Sequence, residues 1–355
     1  MTINPKRIFL LAMVATSATL LGCNSGSSGG SSSSGAETGQ MSLAVTDAPV
    51  DDAVGVVVRF THVELQPADG DRVRIDFDDD EVREIDLLAL QGEDSEFLYE
   101  SEEIPAGDYN WIRFYLEPDS NASGPPVSNF ATSSYILFAD GNRDNLVIPG
   151  GLQQGLQLVS GFTVPAGGAI SLTVDFDLRT AIRPSEFDGY HRLRRALRVV
   201  DNSEVGVISG AVEPDILPED LVCARLSENH DYDTCPGIAV YVFEGDTTPQ
   251  NIQDAEGDPV TTANVRFEHD SETGDWEYRY TAGFLSPGMY TVALTFQADE
   301  DDPEVNTPID FVDSALADVV AGERTVVDFP TENFLGEDAG DEEENGTDGV
   351  EEDDA

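Results

Sequence analysis

Six arginines fall within 20 positions of the sequence: Arg179, Arg183, Arg192, Arg194, Arg195 and Arg198. A guanidinium grips a carboxylate or another planar anion through two parallel hydrogen bonds. Strand alternation places Arg192, Arg194 and Arg198 on one face, with His191, Leu193, Arg195, Leu197 and Val199 on the other. Two readings stay open. The arginines pair with acids of neighbouring strands, or Arg179, Arg183, Arg192, Arg194 and Arg198 line an anion or acidic-glycan groove with Tyr190 as its stacking surface. A second constellation is Asp140, Asn142 and Asp144, which match the start of a calcium loop. The next step lacks glycine, and Gly151 stands where a bidentate glutamate is needed. A hairpin turn between residues 135–138 and 146–148 explains the same residues without a metal. Acidic runs at 78–81 and 299–302 offer further oxygen ligands, the first at an expected hairpin tip between residues 72–77 and 82–87. Calcium is the one cofactor these patterns bring into question; none is required. His62, His191, His230 and His269 show no metalloprotease spacing, and no P-loop, nucleophile elbow or dinucleotide fingerprint occurs. A non-catalytic protein is expected.

The N-terminus carries an address. Lys6 and Arg7 precede the apolar residues 8–21, a run shorter than the ~20 residues that span a bilayer. The run ends Leu20-Leu21-Gly22-Cys23. This resembles the lipobox of bacterial lipoproteins, which implies cleavage before Cys23, acylation of its thiol and a membrane anchor. Asn24 rather than aspartate follows the cysteine, which by the same resemblance favours the outer membrane of a Gram-negative cell. Residues 24–40 include 12 Gly or Ser and form a flexible tether with a reach of ~20–25 Å. With Cys23 assigned to lipid, Cys223 and Cys235 are an even pair in an exported protein and read as a disulfide. The alternative, a zinc site recruiting His230 with Asp231 or Asp233, suits that compartment less well.

The 355 residues contain 18 Lys plus Arg against 70 Asp plus Glu, a net charge of −52. Such a chain does not replace the counterions of a phosphate backbone, so nucleic acid is excluded as a partner. Lys6 is the only lysine. Heavy acidity without lysine fits a saline habitat, where ions screen self-repulsion. Residues 331–355 hold 12 acids and no base and read as a disordered tail.

These groups must be positioned by strands. Residues 54–60, 72–77, 111–116 and 170–176 are β-branched or alternate with period two, and Gly, Pro, Asn and Asp clusters separate them. Residues 190–200 also present a helical face (Tyr190, Leu193, Leu197, Val200), but their β-rich surroundings favour a strand. The blocks Val45-Thr46-Asp47-Ala48-Pro49, Asp86-Leu87-Leu88-Ala89-Leu90, Ile104-Pro105-Ala106-Gly107-Asp108-Tyr109 and Leu172-Thr173-Val174-Asp175-Phe176-Asp177 resemble the bacterial and archaeal domain of unknown function 4382 over residues 41–200. Arg195 stands where that family leads one to expect proline. The resemblance implies an all-β fold and a surface-lipoprotein setting, and no activity. Residues 205–330 are similar to the carboxypeptidase regulatory-like, or transthyretin-like, β-sandwich, through residues 207–212, 237–243 and 284–294. In the last of these, Pro287 and Gly288 turn the chain, and Tyr290 is placed to hydrogen-bond back across the corner.

The two halves echo each other. Residues 104–109 parallel 285–290, and Val164 to Gly167 leading to Val174-Asp175-Phe176 parallel Val320 to Gly322 leading to Val327-Asp328-Phe329. Tandem related sandwiches explain this; so does the turn-then-strand grammar of any β protein. The expectation is two tandem antiparallel β-sandwiches on an N-terminal tether. The expected role is binding, adhesion or scaffolding with an envelope protein or glycan. An envelope polysaccharide hydrolase and a calcium-dependent glycan-binding module are the alternatives.

Overall fold

The computed structural model describes residues 37–49, 53–77, 81–117, 133–147, 155–184, 190–194, 196–224, 232–253, 257–269 and 274–330. Cys23, most of the tether, residues 78–80, Arg195, His230, Asp231 and the acidic tail lie outside them.

The first half comprises β1 (Thr38–Ala48), β2 (Ala53–Pro67), β3 (Val73–Asp76), β4 (Arg83–Asp86), β5 (Glu96–Pro105), β6 (Gly107–Leu116), β7 (Tyr135–Phe138), β8 (Arg143–Val147), β9 (Leu156–Leu158), β10 (Phe162–Val164), β11 (Ala169–Asp177), β12 (Ile182–Pro184), β13 (Tyr190–Leu193) and β14 (Leu197–Asp201), with one helical turn, α1 (Leu178–Ala181), after β11. Four strands form a sheet in the order β14-β11-β1-β5. The other ten form a second sheet along β10-β6-β2-β7-β8-β13-β12, with β3 and β4 on β2 and β9 on β6. Period-two patterning supplies the core between them. Met41, Leu43 and Val45 of β1 and Leu172, Val174 and Phe176 of β11 meet Val63 and Leu65 of β2 and Ile112 and Phe114 of β6. Phe60, Phe114 and Phe176 pack edge to face, with ring centroids 5.9–6.0 Å apart. Truncating one such ring costs ~3–5 kcal/mol.

The second half comprises β15 (Gly206–Ala211), β16 (Tyr232–Glu244), β17 (Thr261–His269), β18 (Trp276–Leu285), β19 (Gly288–Thr295), β20 (Phe311–Val319) and β21 (Arg324–Val326). They form one seven-stranded sheet, β20-β19-β16-β17-β18-β15-β21, around a second core that includes Ile208, Val240, Val265, Tyr280, Leu294 and Phe329. A smaller cluster, with Tyr241, Phe243, Ile252, Ala298 and Ile309, covers the opposite face of β16.

Two local expectations are corrected. β3 and β4 do not form a hairpin. Both run antiparallel to β2, pairing with His62–Leu65 and Val57–Phe60 respectively, so they are successive segments along one partner. Ion pairs off β2 go with them, since Arg59 meets Glu84, and Glu117 at 2.6 Å. Residues 190–200 are strands, but not one strand. β13 joins β8 and β12 in the large sheet, whereas β14 joins β11 in the small one. The single arginine face drawn by strict alternation is broken where the chain changes sheets.

The echo between the halves is structural. Tyr109 donates its hydroxyl to Pro105 O at 2.7 Å, and Tyr290 donates to Ser286 O at 2.8 Å. Val164 faces Gly107 in one half, as Val319 faces Gly288 in the other. β1 lies parallel to β11, and β15 lies parallel to β21. Gly39 and Gly206 start the equivalent strands against the same kind of turn. A Cβ on Gly39 would sit 2.4 Å from Pro165 O, and one on Gly206 2.4 Å from Val320 O. The register also corrects one detail. Val45 partners Val174 and Val212 partners Phe329, each at the same distance from its glycine, so Val174 corresponds to Phe329 and not to Val327.

Candidate functional site

The arginine-rich stretch becomes a seam between the two cores. Asp177 caps α1, accepting from Thr180 N at 3.1 Å and from the Thr180 hydroxyl at 2.7 Å. That turn drives Arg179 into the second half. Its Nε donates to Thr262 Oγ1 at 3.2 Å, Nη1 to Ala298 O at 2.8 Å and Nη2 to Asn264 Oδ1 at 2.8 Å, and its Cζ lies 5.7 Å from the Tyr241 ring centre. Thr262 and Asn264 are themselves buried on the face of β17 opposite the core. Arg198 donates Nη2 to Asp175 at 2.6 Å and bonds Phe284 O through Nη1. From the other side, Arg266 donates Nη2 to Gln91 Oε1 at 2.7 Å, and Arg324 pairs with Glu93. Backbones meet as well: a Cβ on Gly283 would lie 2.1 Å from Gly92 O. The two halves accordingly form one compact unit among the described residues.

Arg179 and Arg183 are 5% and 1% exposed. Arg183 donates Nη1 to Arg179 O at 3.0 Å and to Ile182 O at 2.7 Å, tying down the end of α1. Tyr190 and Arg192 are half-buried in β13, opposite Asn145 and Val147 of β8, and Arg194 is exposed just beyond it. The structure thus brings Arg179, Arg198 and Asp175 to the seam and leaves Tyr190 and Arg192 on β13, between β8 and β12 of the large sheet, with Arg194 just beyond.

Carboxylates crowd behind the seam. Asp47 accepts from Leu178 N at 3.3 Å, and its Oδ2 has no hydrogen-bond partner among the described residues. Burial, then the charges of Asp175 and Asp177, push its carboxyl well above the usual range. Burial also raises Asp177, against the pull of Thr180.

The calcium-like candidates fall on the β7–β8 turn and the strand after it. Asp140 accepts from Asn142 N at 2.8 Å and from Asn142 Nδ2 at 2.6 Å, closing the β7–β8 turn on itself. Asp144 lies on β8, 3.2 Å from His191 Nδ1. Among the described residues, no group of three or more His, Cys, Asp or Glu is placed to hold a metal ion. Cys223 and Cys235 are joined by a disulfide, as expected. No helix among the described residues is long and apolar enough to cross a membrane.

Sequence reasoning missed a second arginine surface because its members are scattered. Arg72, Arg74 and Arg113 meet on the outer face of the large sheet, around Trp111, Tyr115 and His62. Strand parity within each segment was readable; the strand order joining the segments was not.

None of the curated proteins matches the chain. Among solved structures, the Bacillus anthracis TIE protein is 9% identical at a TM-score of 0.17; the match covers 82% of this chain but only 34% of that one, so the chain spans about a third of its length. The minor pilin of Streptococcus agalactiae is 10% identical, with 81% of this chain and 94% of that one covered, at a TM-score of 0.16. The shaft pilin SpaA of Lactobacillus rhamnosus GG is 8% identical, with 82% and 97% covered, at a TM-score of 0.17. Residues 38–192 match the family described as "Domain of unknown function (DUF4382)". The matched residues run from β1 into β13 of the first sandwich, on which the second is docked through the arginine seam.

Proposed function

We propose that this is a lipid-anchored cell-envelope protein with a non-catalytic role in binding or scaffolding. The observation that carries the reading is the seam. Arg179, Arg198 and Arg266 each donate hydrogen bonds from one half to the other, which joins the two sandwiches in a unit suited to presenting a surface. The lipobox-like Cys23 and the Gly/Ser segment would hold that body off a membrane. The charge of −52 and near absence of lysine suit an exterior exposed to salt. Metabolic labelling with a palmitate analogue tests the anchor. The full chain should take up label, and Cys23→Ser should abolish it and release the protein into the soluble fraction. An unlabelled wild-type chain would overturn the reading.

A further inference from the structure

The outer face of the large sheet is arranged for an anion. Trp111, Arg113 and Tyr115 point outward from β6, while Ile112, Phe114 and Leu116 are buried beneath them. His62, Glu64 and Gln66 point outward from β2 above buried Val63 and Leu65. Two guanidiniums stack on one indole: Arg113 Cζ lies 4.6 Å from the Trp111 ring centre and Arg72 Cζ 5.4 Å. Stacking fixes the plane of a guanidinium; the Arg113 Nε is buried, so its Nη groups are what it presents outward. Arg72 is 54% exposed, and its ion-pair contact is a long 3.5 Å to Glu64, whose same oxygen already accepts from Tyr115 at 2.9 Å. Arg113 is aligned by Tyr115 at 3.4 Å and by Gln157. Tyr115 is braced by the His62 ring, stacked at 4.2 Å. Arg74, 53% exposed, extends the patch along β3 and is paired there with Asp76 at 2.6 Å.

We propose that this face binds a uronate-bearing polysaccharide, with Arg72 and Arg113, held by Trp111, gripping its carboxylates. The patch gathers cations on a chain of net charge −52, so it draws an anionic polymer against the rest of the surface. Glu64, Gln157 and Gln66 lie among the arginines, and these are acceptors and donors for hydroxyl groups rather than partners for a second carboxylate. An acidic peptide fits less well. β2 and β6 are hydrogen-bonded on both sides, so Trp111 and Arg113 do not lie on a strand edge that a peptide could extend.

The test is calorimetric titration of the full chain in detergent with a polygalacturonate oligomer, a neutral galactan oligomer and a poly-glutamate peptide. Binding should be confined to polygalacturonate and should weaken as NaCl rises. Arg72→Glu should weaken it at least about tenfold, the scale of one charge-assisted contact. Arg72→Lys, which keeps the charge but loses the planar stack, should fall in between. The melting temperature should stay unchanged in both, and Arg74→Glu gives a second variant should one fail to fold. No binding, equal binding of galactan, equal binding of poly-glutamate, or indifference to both Arg72→Glu and Arg74→Glu would overturn the proposal. Repeating the titration with Cys23→Ser separates this proposal from the anchoring one, because the glycan face does not depend on lipid.

Discussion

Replacing Arg179 by alanine tests the seam directly. The side chain is 5% exposed and donates to Thr262 Oγ1, Ala298 O and Asn264 Oδ1, all on the second sandwich. Its loss would leave three buried acceptors without that donor, at ~1–3 kcal/mol each before relaxation. Such terms are not additive, and removing a buried charged group from its partners costs ~3–5 kcal/mol overall. For a unit of this size that corresponds to a fall in melting temperature of about 10 °C. Calorimetry of the wild type should show one transition for both sandwiches, and Arg179→Ala should lower it or split it in two. Asn264→Ala supplies the control. If the hydrogen bond is formed, the double variant should fall short of the sum of the singles by ~1–3 kcal/mol. Two independent transitions in the wild type, or additive effects, would show that Arg179 does not join the halves and that the reasoning from burial is wrong.

Other consequences follow from the same packing. Asp47 is raised above its unfolded value, so folding favours its protonated form; the stability it contributes is full below that unfolded value and is lost as pH rises through the folded one. Asp47→Asn should therefore stabilise the chain at pH 7 by ~1–3 kcal/mol and flatten its gain on acidification, measured by urea unfolding at pH 7 and pH 5; a destabilised variant would refute this. Reducing the Cys223–Cys235 bond, which spans 12 positions, should cost ~3 kcal/mol, read as a lower denaturation midpoint with and without reductant. Tyr109→Phe and Tyr290→Phe should each cost ~1 kcal/mol and should add, because the two corners belong to separate cores. Equal melting temperatures for wild type and variants would count against those hydroxyl bonds.

Alternation was enough to locate β6 and β11, since a strand writes its parity into the residues. The corner at Tyr290 was also legible, because Pro287-Gly288 fixes the turn and the hydroxyl needs only a local carbonyl. What failed was everything decided by strand order. Tyr190 to Val200 alternates as if continuous, but the chain crosses from one sheet to the other, which a local pattern does not record. The sequence offers Arg179 a strand carboxylate or an anion groove, and does not disclose acceptors that lie more than 80 residues away. Trp111 and Arg72 carried no signal at all, since they meet only once β3 and β6 flank β2.

The parallel pairing of β15 with β21 has a mechanical side. These are the first and last strands of the second sandwich, and they run in the same direction, joined from Val207 to Ser209 and again at Val212. A pull that separates the two ends of this sandwich acts along the strands. It loads their hydrogen bonds together in shear and does not peel them one by one. β1 meets a pull on its N-terminal end in a similar way, because it is clamped between β11 and β5 along most of its length. A protein fixed to a cell at one end and to its surroundings at the other would resist extension at the strands where force enters each half.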